Sequence, residues 1–353
     1  MVRVLIVDDS AFMRSALSNM LQSDPEIQIA GVARDGLEAI EKIVQLKPDI
    51  VTMDIEMPRM DGISALRHIM ANTPVPVIMV SSLTTEGAHT TLEALEIGAV
   101  DFIPKNLSDL SLNILRLKEV LIDKIKQLAK RGVPRLAFRP AARLSIAPQA
   151  RASASPVMRT TGDRRAGVVA IGTSTGGPKA LQEILPNLPK DFPLPIVIAQ
   201  HMPPNFTGPF AERLNQLSKI EVREAKEGDA LRPGLALVSP GGGHMRVVRK
   251  RGIETVVTIS EDRENFIYRP SVDALMLSVA ETFPGRALGV ILTGMGNDGA
   301  KGMTELKRTG GRIFAQNEES CVVYGMPKAV VDAGIADKIL PLEDIAGEIV
   351  NSA

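Results

Sequence analysis

The strongest constraint on this chain is a rhythm of short apolar runs separated by helix-length segments. "VRVLIVD", "IQIAGVA", "DIVTMD", "VPVIMVS" and "AVDFIPK" follow one another through the first third. Apolar residues fill nearly every position of these runs, so both faces must be covered. That predicts parallel strands wrapped by helices, a doubly wound α/β sheet. Helices are expected over Ala11–Leu21, Gly36–Leu46 and, as a last amphipathic segment, Leu110–Lys130. The rhythm returns later as "GVVAIG", "LPIVIAQ", "LALVSPG", "ETVVTIS", "ALGVILTG" and "GRIFAQ". Here helices are expected over Lys179–Leu185, Thr207–Leu217, Val272–Thr282, Gly299–Thr309 and Pro327–Ala333. "GGGHMRVVRKRGIETVVTIS" reads as an inserted hairpin. The expected class is α/β, with two doubly wound, mainly parallel sheets, the second larger and carrying a β-hairpin. The order of its strands stays open.

Between the two series the pattern collapses into Pro, Ala, Ser and Arg. The stretch Val133–Arg165 carries 7 basic and 1 acidic residues, against 14 and 18 before it and 20 and 22 after it. The expected organisation is a domain over 1–131, a flexible basic linker over 132–165 and a second domain over 166–353. No aromatics interleave with the linker arginines, so reach and solubility explain it better than nucleic-acid binding. Over the whole chain 41 basic residues balance 41 acidic ones, which gives no general attraction to nucleic acid or anionic lipid. Cys321 is the only cysteine, which excludes an internal disulfide and a cysteine metal site. The opening apolar run is too short for a signal peptide, and no uncharged run approaches the roughly 18 residues of a membrane span. A cytoplasmic protein without membrane insertion is expected.

Acids close the strands of the first series. Asp8 and Asp9 follow the first run, Asp54 ends the third, and Lys105 follows the fifth. A doubly wound sheet places its ligand crevice outside the carboxyl ends of the strands, where the strand order reverses. Neighbouring first and third strands would bring three carboxylates together there. Such a cluster needs a divalent cation, and an all-oxygen set favours Mg²⁺. A carboxylate facing that ion can accept a phosphoryl group, with Lys105 offsetting charge on the transferring oxygens. Taken singly, each acid would more often be a turn residue or helix cap.

With "LIVDDS", "DIVTMDIEMPRMDG", "VIMVSS" and "GAVDFIPK", residues 1–131 resemble the receiver domain of two-component response regulators. The resemblance implies that Asp54 is the phosphoacceptor. It implies that Asp9, Asp54 and the Glu56 backbone carbonyl bind Mg²⁺, assisted by Asp8, and that Ser81 and Phe102 form the switch pair beside Lys105. Asn106 departs from the proline common after that lysine.

The stretch "AGVVAIGTSTGGP" admits a phosphate cradle or a raised nucleophile. A phosphate loop needs Lys then Ser/Thr after its last glycine, but Pro178 stands at the lysine position. Ser174 likewise replaces the second glycine of a dinucleotide fingerprint. Gly172-x-Ser174-x-Gly176 does fit a turn that lifts Ser174 off a strand end, and Pro178 suits the first turn of the following helix. That helix end can also supply donors to a developing oxyanion. Of four histidines only His201 directly follows a strand of this series, and Asp298 lies between a strand and a helix in "ILTGMGNDGA". Asp229, Asp262 and Asp273 compete without such placement. Ser174, His201 and Asp298 would then act as nucleophile, base and orienting acid. Their chain order is not that of α/β-hydrolases.

"IGTSTGGP", "AQHMPPNFT", "EGDALRPGLALVSPGGGHM", "ILTGMGNDGAKG" and "GMPKAV" make residues 166–353 similar to the catalytic domain of CheB, the chemotaxis protein-glutamate methylesterase family. The resemblance implies the same triad, with the Met295 backbone N–H at the oxyanion site and Thr175 beside the nucleophile. It further implies hydrolysis of glutamate γ-methyl esters on methyl-accepting chemoreceptors, deamidation of selected glutamines, and a chemotaxis histidine kinase as phosphodonor. No cofactor is expected for ester hydrolysis. The shared chain suggests that an unphosphorylated receiver covers the ester site. The rivals are a non-catalytic binding domain and a nucleotide-binding output domain.

Overall fold

The computed structural model describes residues 1–82, 84–105, 114–131, 166–250, 254–261 and 266–353. The basic stretch 132–165, Asn106, Asp262 and the start of the helix expected from Leu110 lie outside them.

The first sheet contains β1 (Val2–Val7), β2 (Ile27–Ala33), β3 (Ile50–Asp54), β4 (Val77–Ser81) and β5 (Asp101–Pro104), in the order β2-β1-β3-β4-β5. Every pairing is parallel. The helices α1 (Ala11–Gln22), α2 (Gly36–Leu46), α3 (Gly62–Asn72), α4 (Thr85–Ile97) and α5 (Ile114–Arg131) connect and cover it. Four of them start on a side-chain cap, supplied by Ser10, Asp35, Asp61 and Thr84. The caps are therefore not the acids Asp8, Asp9 and Asp54. The order reverses between β1 and β3, so those acids meet at the switch point of the sheet.

The second sheet has seven parallel strands in the order β14-β13-β12-β6-β7-β9-β8. Its centre is β6 (Val168–Thr173), buried at every residue. On one side lie β7 (Ile196–Gln200), β9 (Leu235–Val238) and β8 (Glu221–Glu224). On the other lie β12 (Ala287–Ile291), β13 (Arg312–Gln316) and β14 (Lys338–Leu340). The expected hairpin is a separate antiparallel pair, β10 (His244–Arg249) and β11 (Thr255–Ser260). The helices are α6 (Gly177–Ile184), α7 (Pro204–Leu217), α8 (Val272–Thr282), α9 (Ala300–Arg308), α10 (Met326–Asp332) and α11 (Leu342–Asn351).

Three of these elements have no counterpart in the expected series. The edge strands β8, "EVRE", and β14, "KIL", are short and carry charge on exposed positions, so no apolar run announces them. Helix α11 does carry the periodic signal at Leu342, Ile345, Ala346 and Ile349, all buried. Among the described residues no helix is long and apolar enough to cross a membrane.

The carboxyl ends of the second sheet face the first sheet's β5. Phe102 stacks on Phe206 of α7 with ring centroids 4.8 Å apart and planes within 8°. Arg213 of α7 clamps Glu96 of α4 through Nε at 2.5 Å and Nη2 at 2.9 Å. The seam thus combines one buried aromatic pair with a polar rim.

Candidate active site

Strand β6 delivers Ser174 to the centre of the second sheet's upper edge. The Ser174 N–H donates to the Thr293 carbonyl beyond β12 at 3.1 Å, and its own carbonyl accepts from Gly177 N at 2.8 Å. Gly176 takes φ 78°, a left-handed turn into α6, and a Cβ there would lie 2.6 Å from Val322 Cβ. A Cβ on Gly177 would fall 2.2 Å from Gln200 Oε1. The glycines of this motif therefore serve a tight turn beneath crowded side chains, and Pro178 sits in the first turn of α6 as expected. Ser174 is half-buried at the start of that helix.

Residue 201 follows β7, the neighbour of β6, and Asp298 follows β12 on its other side. His201 Nε2 lies 2.7 Å from Asp298 Oδ2. Helix α8 fixes that carboxylate: Val272 N donates to Oδ2 at 2.7 Å, while Ser271 Oγ and Asp273 N donate to Oδ1 at 2.9 and 3.1 Å. Burial pushes the Asp298 carboxyl upward, but the His201 hydrogen bond and charge and the helix N–H groups together hold it below the usual carboxylate range. An ionised Asp298 fixes the tautomer, so Nε2–H donates to it and Nδ1 is left as the basic nitrogen. Nδ1 is buried and has no hydrogen-bond partner among the described residues.

A cavity of about 340 Å³ opens between the two sheets, lined by Ser174, His201, Tyr268 and Met295 with Asp101 and Phe102 of β5. Thr175 is buried and donates through Oγ1 to Asp101 Oδ2 at 2.6 Å, and Lys124 Nζ of α5 meets the same oxygen at 2.6 Å. The first sheet's β5 thus touches the residue next to Ser174. Two of the competing acids are committed elsewhere: Asp229 pairs with Arg223, and Asp273 Oδ1 accepts from Gly302 N at 2.8 Å.

Several residues of this site escaped the sequence reading. Gln200 Nε2 donates to the Ser174 and His201 carbonyls, both at 3.0 Å, and so ties the two turns together. Thr293 Oγ1 donates to the Thr175 carbonyl at 2.9 Å. Tyr268 stacks on the His201 ring. Only Ser271 had a legible signal, as an N-cap type directly before a helix pattern.

In the first sheet, carboxylate oxygens of Asp8, Asp9 and Asp54 lie within 4.8 Å of one another. Lys105 Nζ reaches Asp54 Oδ2 at 2.6 Å and Asp8 Oδ2 at 3.9 Å. Burial pushes the Asp54 carboxyl up to about 6, and Asp8 is raised for the same reason. Asp8 Oδ2 is a buried oxygen without a hydrogen-bond partner among the described residues. An all-oxygen, anionic, under-satisfied cluster is what a hard divalent cation requires, so these residues fit Mg²⁺. Glu56 N donates to Asp54 Oδ1 at 3.4 Å in the adjoining turn. Ser81 is buried and turned toward α4, where Thr91 Oγ1 donates to it at 2.6 Å. The other expected switch residue, Phe102, lies in the seam against Phe206.

Comparison with known proteins agrees with this architecture. The family model of the response regulator receiver domain matches residues 4–114, and that of the CheB methylesterase matches residues 169–349. A protein-glutamate methylesterase/protein-glutamine glutaminase 2 of Nitratidesulfovibrio vulgaris is 53% identical over 99% of this chain and 99% of its own. A protein of the same activity name from Lawsonia intracellularis is 50% identical over 100% of this chain and 99% of its own. The crystal structure of the Thermotoga maritima CheB methylesterase catalytic domain is 40% identical, covers 53% of this chain and 99% of its own, and superposes with a TM-score of 0.52. The chain belongs to the CheB family of protein-glutamate methylesterases, with a response-regulator receiver in front of the catalytic domain.

Proposed function

We propose that the protein demethylates glutamate γ-methyl esters on chemoreceptors, and deamidates selected receptor glutamines, by a Ser174-His201-Asp298 mechanism under receiver control. The observation that carries the proposal is the His201–Asp298 bond of 2.7 Å, which leaves a buried basic Nδ1 beside the cavity that Ser174 lines. Ser174 Oγ attacks the ester carbonyl while His201 Nδ1 takes its proton. The Met295 backbone N–H and the start of α6 are the proposed donors to the oxyanion. His201 returns the proton to the leaving methoxide, methanol departs, and water activated by the same nitrogen releases the glutamate. In deamidation ammonia leaves in place of methanol. Thr175, next to the nucleophile, shapes this edge of the site.

The proposed division is a receiver over 1–131, a linker over 132–165 and a catalytic domain over 166–353. Within the receiver Asp54 is the proposed phosphoacceptor, with a chemotaxis histidine kinase as donor. Asp8, Asp9, Asp54 and the Glu56 carbonyl would hold Mg²⁺, which neutralises phosphoryl charge when bound. Ser81, Phe102 and Lys105 carry the response. Both partners place the protein in the cytoplasm. Support for receiver control comes from β5, which ends beside Lys105 and presents Asp101 and Phe102 to the ester cavity.

The test is methanol release from methylated receptor by the full-length chain with an acyl-phosphate donor. Ser174→Ala, His201→Gln and Asp298→Ala are each expected to reduce kcat by about 10⁴-fold, with receptor binding retained. Unchanged release from Ser174→Ala would support the binding-module alternative.

A further inference from the structure

A hydrogen bond from one ring nitrogen fixes a point of an imidazole but not its plane. For His201 the plane is set by Tyr268, whose ring lies parallel to it with centroids 4.2 Å apart and planes within 13°. Tyr268 belongs to the loop that enters α8, the helix whose first turn holds Asp298. One segment therefore secures both the edge of the imidazole and its face. Tyr268 also lines the cavity with Ser174, so its ring has access to the reacting groups. When His201 accepts the serine proton it becomes a cation lying against an aromatic face, an arrangement the ring quadrupole favours.

We propose that Tyr268 is a positioning residue for ester hydrolysis: its ring holds the His201 plane against turning about the bond to Asp298, and it favours the imidazolium formed during proton transfer. This rests on the Ser-His-Asp reading above. The charged groups around the pair are Asp298 at the far ring edge, Arg269 in the same cavity wall, Asp123 of α5, and Asp101 and Lys124 from the receiver, which pair with each other at 2.6 Å. Burial, together with the negative charges of Asp298 and Asp123, raises the Tyr268 phenol above its ordinary range. The phenol thus stays neutral through neutral pH.

The experiment uses the full-length chain as Tyr268→Phe and Tyr268→Leu, with Tyr268→Met as a second ring-less variant should leucine disturb the loop. Two readouts are taken: the pH profile of kcat for methanol release with an acyl-phosphate donor and Mg²⁺, and the NMR titration of the His201 ring, assigned by its loss in His201→Gln. The ring-less variants are expected to lose about tenfold in kcat. Their acid limb and the His201 titration should both move to lower pH by about half to one unit, because the cation loses its aromatic neighbour. Tyr268→Phe keeps the face and should restore both positions. A ring-less variant whose His201 titrates where the parent's does, with activity lowered evenly at all pH, overturns the proposal. So does a phenylalanine variant that behaves like leucine. The NMR titration needs no turnover, so it stands apart from a failure of the hydrolase reading, which Ser174→Ala reports separately.

Discussion

Gln200 shows how one buried side chain can hold the edge of the candidate active site together. Its carboxamide donates to the carbonyls of Ser174 and His201, which leave neighbouring strands and must keep a fixed separation. Gln200→Leu takes this donor from the His201 carbonyl and leaves the Ser174 carbonyl with the Gly177 N–H alone. It is expected to cost about 1–3 kcal/mol of stability and to lower kcat more than it raises KM, as thermal denaturation and steady-state methanol release would show. Asp54 presents the opposite case, a residue held under electrostatic stress. Its carboxyl is pushed from 3.8 up to about 6, so the folded protein binds this proton more tightly than the unfolded chain. The stability this gives is complete at acid pH and is lost as pH rises from about 3.8 through 6. A divalent cation relieves the loss only where the carboxylate is ionised. Mg²⁺ should therefore raise the melting temperature clearly at pH 8 and little at pH 5, and equal rises at both would count against the assigned cluster.

At the scale of elements, α8 does more for the site than any strand. Its N-cap Ser271 accepts from Ala274 N at 3.3 Å and donates to Asp298 at 2.9 Å, so one hydroxyl starts the helix and steadies the acid. Ser271→Ala should lower stability by about 1 kcal/mol and weaken turnover at every receiver state, measured by denaturant titration and methanol release. Helix α11 offers a control in the other direction. Gly347 lies within it, exposed, with nothing within 4 Å of a built Cβ. Gly347→Ala should add about 0.5–1 kcal/mol and leave catalysis alone. Legibility followed the same physics. The fully buried strands β3, β4, β6 and β12 were readable because burial on both faces demands continuous apolar residues. The short edges β8 and β14 were not, since three or four residues give no apolar run and their pairing is made by backbone groups that no side-chain pattern reports.

In the whole molecule, α4, β5 and α5 of the receiver meet the carboxyl edge of the hydrolytic sheet and helix α7. Strand β5 links the two chemistries, since Lys105 at its end contacts Asp54 and Asp101 at its start contacts Thr175. Phe102→Ala removes the stacked pair with Phe206, a contact worth about 0.5–1.5 kcal/mol beyond buried area. Loss of that contact is expected to raise methanol release by the unphosphorylated chain severalfold, with a smaller change after acyl phosphate is added. An unaltered basal rate would mean that the seam does not restrain the site. The proposed triad residues and the acidic cluster could be nominated from sequence because strand ends in an α/β sheet are the positions where chemistry collects. Chain order alone could not reveal that β12 lies beside β6 on one side and β7 on the other. Nor could it reveal which ring nitrogen of His201 faces Asp298, that Tyr268 covers the imidazole, or that Asp101 reaches across the seam. Residue type and local apolar pattern are properties of the chain itself. Contacts between residues 74 or 97 positions apart exist only once the sheets have packed, and nothing local encodes them.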